Sequence, residues 1–377
     1  MTTSGDGPCL ILTGNGEMSL WGMTTAERLR RLFAREGINE ADRPPEDIPC
    51  VMARADAVID APLIRVIASR PGLVLLSGED GAPLAVHAPA GQCQKALAIL
   101  QGAPIPPEFE ARRPDELGAD FHDTLRKREI PHAMILAADN RRQVEWRSFM
   151  ATYKGATDLV TKYLWPRPAF HVTRWLAETP ITPNMVTTAS LVFVIAAFWL
   201  FWQGHYGWGL ACAWFMTFLD TVDGKLARTT LTSSRWGNIF DHGIDLIHPP
   251  FWYWAWAKGL ANAGLGLDAA TWRWTLGVII AGYIAQRLIE GAAIKWLGME
   301  IHIWRPIDSF FRLITARRNP NLVILTVSAI AGRPDLGLIA VAWWTAICLL
   351  LHLVQLIQAF AGKRRAGRLV SWMSEKP

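Results

Sequence analysis

The chain has 377 residues, enough for two domains, with 51% hydrophobic residues and a formal net charge of +5. That modest positive balance reads as base flanking a membrane and not as affinity for nucleic acid. Five cysteines, Cys9, Cys50, Cys93, Cys212 and Cys348, form no CxxC pair and are odd in number. This disfavours a disulfide framework and fits a reduced, cytoplasmic soluble part.

The first part of the chain is mixed and charged. Its start, MTTSGDGPCLILTGNGE, lacks a basic n-region and has too short an apolar run for a secretory leader. CLILTGNGE predicts a short strand followed by a glycine turn, and MTTAERLRRLFAREGI has helical periodicity. ADAVIDAPLIRVIAS and GLVLLSGEDGAPLAVHA add further strand and helix signals, so residues 1–150 read as a small soluble α/β domain. A strand, a glycine turn and a helix are also a way to cradle a nucleotide phosphate.

Residues 151–182 form a linker. Within it, residues 159–178 mix Trp165, Phe170 and Trp175 with Lys162, Arg167 and Arg174. That pattern suits an amphipathic helix lying in a membrane interface, broken at Pro166 and Pro168. The alternative is an ordinary linker helix.

From residue 183 to 365 long apolar runs dominate, and the length rule predicts an all-α domain of six membrane-spanning helices. The spans read as 185–203, 207–227, 236–256, 272–297, a short fifth at 322–330, and 336–360. Pro249 and Pro250 are expected to kink the third. Lys225, Arg228 and Arg235 follow span two, Arg312, Arg317 and Arg318 follow span four, and Lys363, Arg364, Arg365 and Arg368 follow span six. The opposite loops are poor in base, so both termini and that face are expected in the cytoplasm.

The densest signal is DTVDGKLARTTLTSSRWGNIFDHGID, residues 220–245. Ionisable residues beside membrane-length segments are costly and mark a functional site by default. Asp220 and Asp223 are three apart and share a helix face; Asp241 and Asp245 are four apart and share another. Two facing helices can then present four carboxylates to one point. Unneutralised, these would repel one another, and Mg²⁺ with oxygen ligands is the natural neutraliser beside phosphates. Gly224 and Ala227 leave room for a close approach, and Arg228, one turn beyond Asp223, suits a phosphate. The competing reading is a charged loop whose carboxylates pair with Lys225, Arg228 and Arg235.

The pattern D-x2-D-G-x2-A-R-x8-G-x3-D-x3-D resembles the signature of the CDP-alcohol phosphotransferases. Asp220, Asp223, Gly224, Ala227, Arg228, Gly237, Asp241 and Asp245 fill its fixed positions. The stretch ITPNMVT, with Pro183, Asn184 and Thr187, looks like that family's lead-in to its first transmembrane helix. The resemblance covers roughly residues 155–365. It implies a membrane enzyme of phospholipid synthesis that displaces CMP from a CDP-linked alcohol, usually as a homodimer. It also implies two divalent ions, Mg²⁺ or Mn²⁺, held by Asp220, Asp223, Asp241 and Asp245, with Asp245 also the base. Gly224, Ala227, Arg228 and Gly237 would border the CMP moiety. Asn184, Thr187 and Ser234 are carried over with them on the same side.

A second basic cluster, WRPIDSFFRLITARRNP, places Arg305, Arg312, Arg317 and Arg318 on the aspartates' side. It is similar to the basic pocket of family members that use phosphorylated inositol and would take a substrate phosphate. Positive-inside topology and contact with anionic lipid explain it equally well. Arg287 and Glu290 are expected to pair with each other, and His242 and His248 to be structural. The favoured chemistry runs from CDP-diacylglycerol to a polyol or polyol phosphate such as inositol phosphate or glycerol phosphate. The reverse arrangement, a soluble CDP-polyol donor with a lipid acceptor, uses the same core.

Residues 1–150 distantly resemble a nucleotidyltransferase, a domain that some of these enzymes carry as a fused partner making their CDP donor. Glu17 and Met18 stand where the usual basic residue follows the glycine turn, and the region before Asp56 is short. A degenerate domain is therefore expected, with a working cytidylyltransferase as the alternative. A reading of a different class is a membrane scaffold or transporter, since carboxylates also line ion pathways.

Overall fold

The computed structural model describes residues 7–43, 47–118, 121–122 and 125–374. Residues 1–6, which open the stretch read as lacking a leader, lie outside them. Two compact units emerge: one spans Met1–Tyr153 with Ala177–Thr179 and Arg228–Leu231, the other Lys154–Leu176, Pro180–Ala227 and Thr232–Pro377.

The first unit is α/β. Its strands are β1 (Cys9–Thr13), β2 (Ser19–Leu20), β3 (Met23–Thr24), β4 (Cys50–Arg54), β5 (Ala57–Ile59), β6 (Leu73–Leu76), β7 (Pro83–Ala88), β8 (Glu110–Arg112), β9 (Phe121–His122), β10 (Lys127–Arg128) and β11 (Ala133–Ile135). Helices α1 (Thr25–Arg35), α2 (Ala61–Ser69), α3 (Cys93–Leu100) and α4 (Arg141–Ala151) connect and cover them. The main sheet has the order β1-β4-β7-β6-β8. The two outer pairs, β1–β4 and β6–β8, are parallel, and β7 runs antiparallel to both of its neighbours.

Period-two alternation builds a core on each face of this sheet. Val51 and Ala53 face Leu29, Leu32 and Phe33 of α1, whereas Cys50 and Met52 face Ala96 and Ile99 of α3. Between β2 and β3 the two turn residues, Trp21 and Gly22, both have positive φ, 55° and 73°. A two-residue hairpin needs that handedness. Trp21 tolerates it because its ring is buried and its Nε1 donates to Ser148 Oγ at 2.8 Å. Thr24 then caps α1, its hydroxyl accepting from the Glu27 amide at 3.2 Å.

The second unit is helical: α5 (Pro166–Ala177), α6 (Pro183–Trp202), α7 (Tyr206–Thr229), α8 (Arg235–Asn262), α9 (Ala269–Ala292), α10 (Pro306–Arg312), α11 (Arg318–Ile330) and α12 (Pro334–Ala366). A π-helical turn, Val160–Leu164, precedes α5. The expected break occurs at Pro166, where the π-helical turn has ended and α5 begins, but not at Pro168, through which α5 runs. Both prolines fall in the first turn, where the missing amides had no intrahelical acceptor to lose. Helix α8 contains Pro249 and Pro250 and is continuous from Arg235 to Asn262.

Three helical segments are long and apolar enough to cross a membrane by length and composition: Pro183–Trp202, Ala269–Leu297 and Pro334–Ala366. The other expected spans fall on helices, but the site-bearing α7 and α8 are interrupted by charge, and α11 is only 13 residues. At 1.5 Å per residue, α11 reaches about 20 Å, short of a hydrocarbon core of about 30 Å. Outward apolar side chains on α6 (Val192, Ile195, Trp199) and α12 (Trp343, Leu350, Ile357) suit a lipid environment.

Helices α6 and α8 run side by side in the same direction. Their C-terminal ends join where Asn262 Nδ2 donates to the Trp202 carbonyl at 3.0 Å and Trp252 Nε1 donates to that of Val194 at 2.9 Å. Gly259 is required there, because a Cβ would overlap the Phe201 carbonyl oxygen. Phe201 packs its ring on Trp256 at 4.9 Å, in the centre of the apolar core. Further along, α9 packs against α12, and α12 against α11.

Candidate active site at the start of helices α6 and α8

The α6 N-terminus is set by Thr182, whose hydroxyl accepts from the Met185 amide at 3.3 Å, with Pro183 in the first position. Two of the residues expected near the cofactor follow in its first turns. Thr187 donates its hydroxyl to Asp223 Oδ2 at 2.6 Å. Asn184 lies against Gly237, where an added Cβ would sit 2.6 Å from Asn184 Oδ1. Ser234 is the N-cap of α8, accepting from the Gly237 amide at 3.0 Å.

Helix α7 carries Asp220 and Asp223, and α8 carries Asp241 and Asp245. Asp220 interacts electrostatically with Asp241 and Asp245, and Asp223 with Asp220 and Asp241. Asp220 is thus within electrostatic range of the other three carboxylates. Asp223 is the most enclosed, 3% exposed, and its Oδ1 meets no donor among the described residues. A buried acceptor without a donor fits a cation. Even so, no group of three or more His, Cys, Asp or Glu among the described residues is arranged to hold a metal ion. The carboxylates are neighbours, but they do not all point at one centre.

Arg318, the first residue of α11, explains part of that. It donates Nη2 to Asp220 Oδ2 at 2.6 Å and Nη1 to Asp245 Oδ1. Asp241 turns toward His242, 3.5 Å away. Gly224, Ala227 and Arg228 follow Asp223 along α7, which ends at Thr229.

The remaining arginines of the second cluster take separate roles. Arg317 pairs with Glu290, as does Arg287 at 3.2 Å and His302 Nε2 at 3.2 Å. The expected Arg287–Glu290 pair is present, but it is one arm of a larger hub. Arg305 grips Asp308 with Nε and Nη2 at 2.9 Å and donates Nη1 to Gln358 at 2.8 Å, so its guanidinium is fully engaged. Arg312 is buried, within electrostatic range of His302 and His352. His248 is structural as expected, bonded through Nδ1 to the Ile244 carbonyl at 2.7 Å and edge-on to Trp252. The Glu290 hub and the target of Arg318 were not legible in the sequence; the only signal was the unusual presence of charge within apolar stretches.

Residues 180–316 match the CDP-alcohol phosphatidyltransferase family model. A bifunctional IPC transferase and DIPP synthase of Rubrobacter xylanophilus is 29% identical over 168 residues, 44% of this chain and 35% of that protein. A phosphatidylinositol phosphate synthase of Streptomyces avermitilis is 33% identical over 95 residues, 25% of this chain and 37% of that protein. A cholinephosphotransferase 1 of Xenopus laevis is 31% identical over 140 residues, 33% of each. The chain thus spans about a third of the length of these curated relatives. Among solved structures, the Mycobacterium tuberculosis phosphatidylinositol phosphate synthase with CDP-DAG bound aligns over 50% of this chain and 94% of that one, at 18% identity and a TM-score of 0.40. The similarity to CDP-alcohol phosphatidyltransferases is thus carried by residues 180–316.

Proposed function

We propose that the protein is an integral membrane enzyme that moves a substituted phosphoryl group from a CDP-alcohol to an acceptor hydroxyl, releasing CMP. The observation that carries this reading is the gathering of Asp220, Asp223, Asp241 and Asp245 from two neighbouring helices, beside Asn184, Thr187 and Gly237.

In this reading Asp220, Asp223, Asp241 and Asp245 hold the divalent ions, Mg²⁺ or Mn²⁺. When bound, these ions neutralise the pyrophosphate and the departing CMP. Gly224, Ala227, Arg228 and Gly237 border the nucleotide, and Arg228 meets a phosphate oxygen. Asp245 takes the proton of the acceptor hydroxyl as its oxygen attacks the phosphorus that carries the donor alcohol. The bond from that phosphorus to CMP breaks, and the alcohol moves with its phosphoryl group. CDP-diacylglycerol is the favoured donor and a polyol phosphate the favoured acceptor. Arg318 reaches Asp220 and Asp245, and with its sequence neighbours Arg312 and Arg317 it suits an acceptor phosphate.

The wider frame belongs to the same proposal: a homodimer with six membrane crossings and cytoplasmic termini. A soluble α/β domain over 1–150, degenerate as a nucleotidyltransferase, is followed by a linker over 151–182 and the catalytic domain over 183–365.

The test is a matrix of CDP-alcohol donors and hydroxyl acceptors offered to purified protein, following CMP and identifying the lipid product by mass spectrometry. Asp245→Asn is expected to abolish CMP release while leaving metal-dependent CDP binding intact. Turnover near that of the wild type would overturn the base assignment. No CMP with any pair would favour the scaffold or transporter reading.

A further inference from the structure

Arg318 stands at an unusual place for a cation. It opens α11, where the helix dipole disfavours positive charge, and its side chain is only 15% exposed. Burying a guanidinium is costly unless its charge is met. Here one planar fork meets two carboxylates from two helices: Nη2 bonds Asp220 Oδ2 at 2.6 Å and Nη1 bonds Asp245 Oδ1. Its Nε finds no acceptor among the described residues, and beside a weak Nη1 contact to Met216 Sδ at 3.6 Å the two aspartates are what hold the guanidinium.

We propose that Arg318 is a built-in counter-ion of the carboxylate cluster, competing with the divalent ion for Asp220 and Asp245 and thereby setting the metal affinity. The inference rests on the reading of the four aspartates as metal ligands. Arg318 engages one oxygen of each of two carboxylates, and its positive charge and a divalent ion compete for the same negative charge on Asp220 and Asp245. The pairing also accounts for part of the failure of the four neighbouring carboxylates to converge on one centre. Metal binding then displaces Arg318 from the cluster. The freed guanidinium, still tethered at the first position of α11, is available to an anion arriving with the acceptor.

The experiment uses the full-length protein in detergent and Mn²⁺ alone as the probe, with free Mn²⁺ counted by its electron paramagnetic resonance signal. Arg318→Gln is expected to bind Mn²⁺ at least tenfold more tightly than the wild type. Arg318→Lys keeps the charge but cannot bridge two carboxylates, and is expected to fall between them. If Arg318→Gln does not fold, as judged by gel filtration and circular dichroism, Arg318→Lys carries the test, with severalfold tighter binding expected. Unchanged or weaker Mn²⁺ affinity in the folded variants would overturn the proposal and make Arg318 an outer-shell support. Asp223→Asn separates the two levels: if it abolishes Mn²⁺ binding while the Arg318 variants match the wild type, only the counter-ion role fails. If neither wild type nor variants bind Mn²⁺, the metal reading fails with it.

Discussion

The Thr187 hydroxyl bonds Asp223 Oδ2 at 2.6 Å, closer than the Pro183 carbonyl of its own helix at 3.1 Å. One hydroxyl carries one proton, so the shorter, charge-assisted bond takes it. Helix α6 therefore reaches across to orient the most buried carboxylate of the cluster. Thr187→Ala removes that donor, and metal affinity is expected to fall about tenfold or more, as for other outer-shell partners of ligating carboxylates. Thr187→Ser should retain most of it. A Mn²⁺ titration checks both, and an alanine variant within twofold of wild type would refute the orienting role.

Gly237 is where α8 lets Asn184 come close, with 2.6 Å between an added Cβ and Asn184 Oδ1. Gly237→Ala forces Asn184 aside while adding helix propensity of up to about 1 kcal/mol. The expected result is a KM for the CDP-alcohol raised about tenfold with thermal stability unchanged or slightly improved. A melting temperature that drops along with activity would mean the contact is structural and not part of the nucleotide site.

Glu290 meets three cationic or polarisable partners, Arg287, His302 and Arg317, and is 17% exposed. Removing its charge leaves two enclosed guanidinium groups unbalanced. Glu290→Gln is expected to cost about 3 kcal/mol, the usual penalty for breaking one side of a buried ion pair. Adding Arg317→Met should recover part of that loss. Thermal melts of the single and double variants in one detergent give the coupling.

His87 tests the soluble unit by pH. Its ring is 2% exposed, and Nδ1 lies 2.7 Å from the Ile67 carbonyl, so it is the donor and Nε2 is left buried without a partner among the described residues. Burial lowers its pKa from the usual value of 6.5. The unfolded chain then binds the proton more readily, so this contribution is intact above about pH 6.5 and is lost as pH falls through the lowered folded value. Hydrogen exchange at β7 and α2, corrected for intrinsic rates, should show protection dropping from pH 7 to pH 5. His87→Asn keeps the donor to Ile67 and does not titrate, so it should flatten the profile. An unchanged slope would assign the pH dependence to other groups.

The carboxylate cluster was legible because helical spacing alone brings each pair of aspartates to one face, and the apolar flanks fix the helices that carry them. What spacing cannot report is the partner across a tertiary gap. Arg318 lies 98 residues from Asp220, and its place in a run of arginines looked like a membrane-flanking charge. Ser234 shows a different ambiguity: the serine that borders the expected nucleotide site also begins a helix, and its bond to the Gly237 amide is a cap. Of the two linker prolines, Pro166 does separate two helical segments, whereas Pro168 falls inside the first turn of α5, a position not evident from the sequence. In the first unit, the strand and helix after each glycine turn were visible, but the antiparallel placement of β7 and the pairing of β11 with β5 depend on contacts that local pattern does not encode.

Gly259 gives α6 and α8 a fulcrum. With the Phe201 carbonyl pressed against its Cα, the two helices cannot slide or separate at that end. Gly237 lies 22 residues away on the same helix, about 33 Å at 1.5 Å per residue. A rotation of about 3° at the fulcrum therefore displaces the Gly237 end by about 1.7 Å, with a lever arm set by the same rise per residue. The fixed end is buried in aromatic packing, and the far ends carry Asn184 and Thr187 on α6 and Asp241 and Asp245 on α8, so small errors in packing at Gly259 are magnified where the site residues meet.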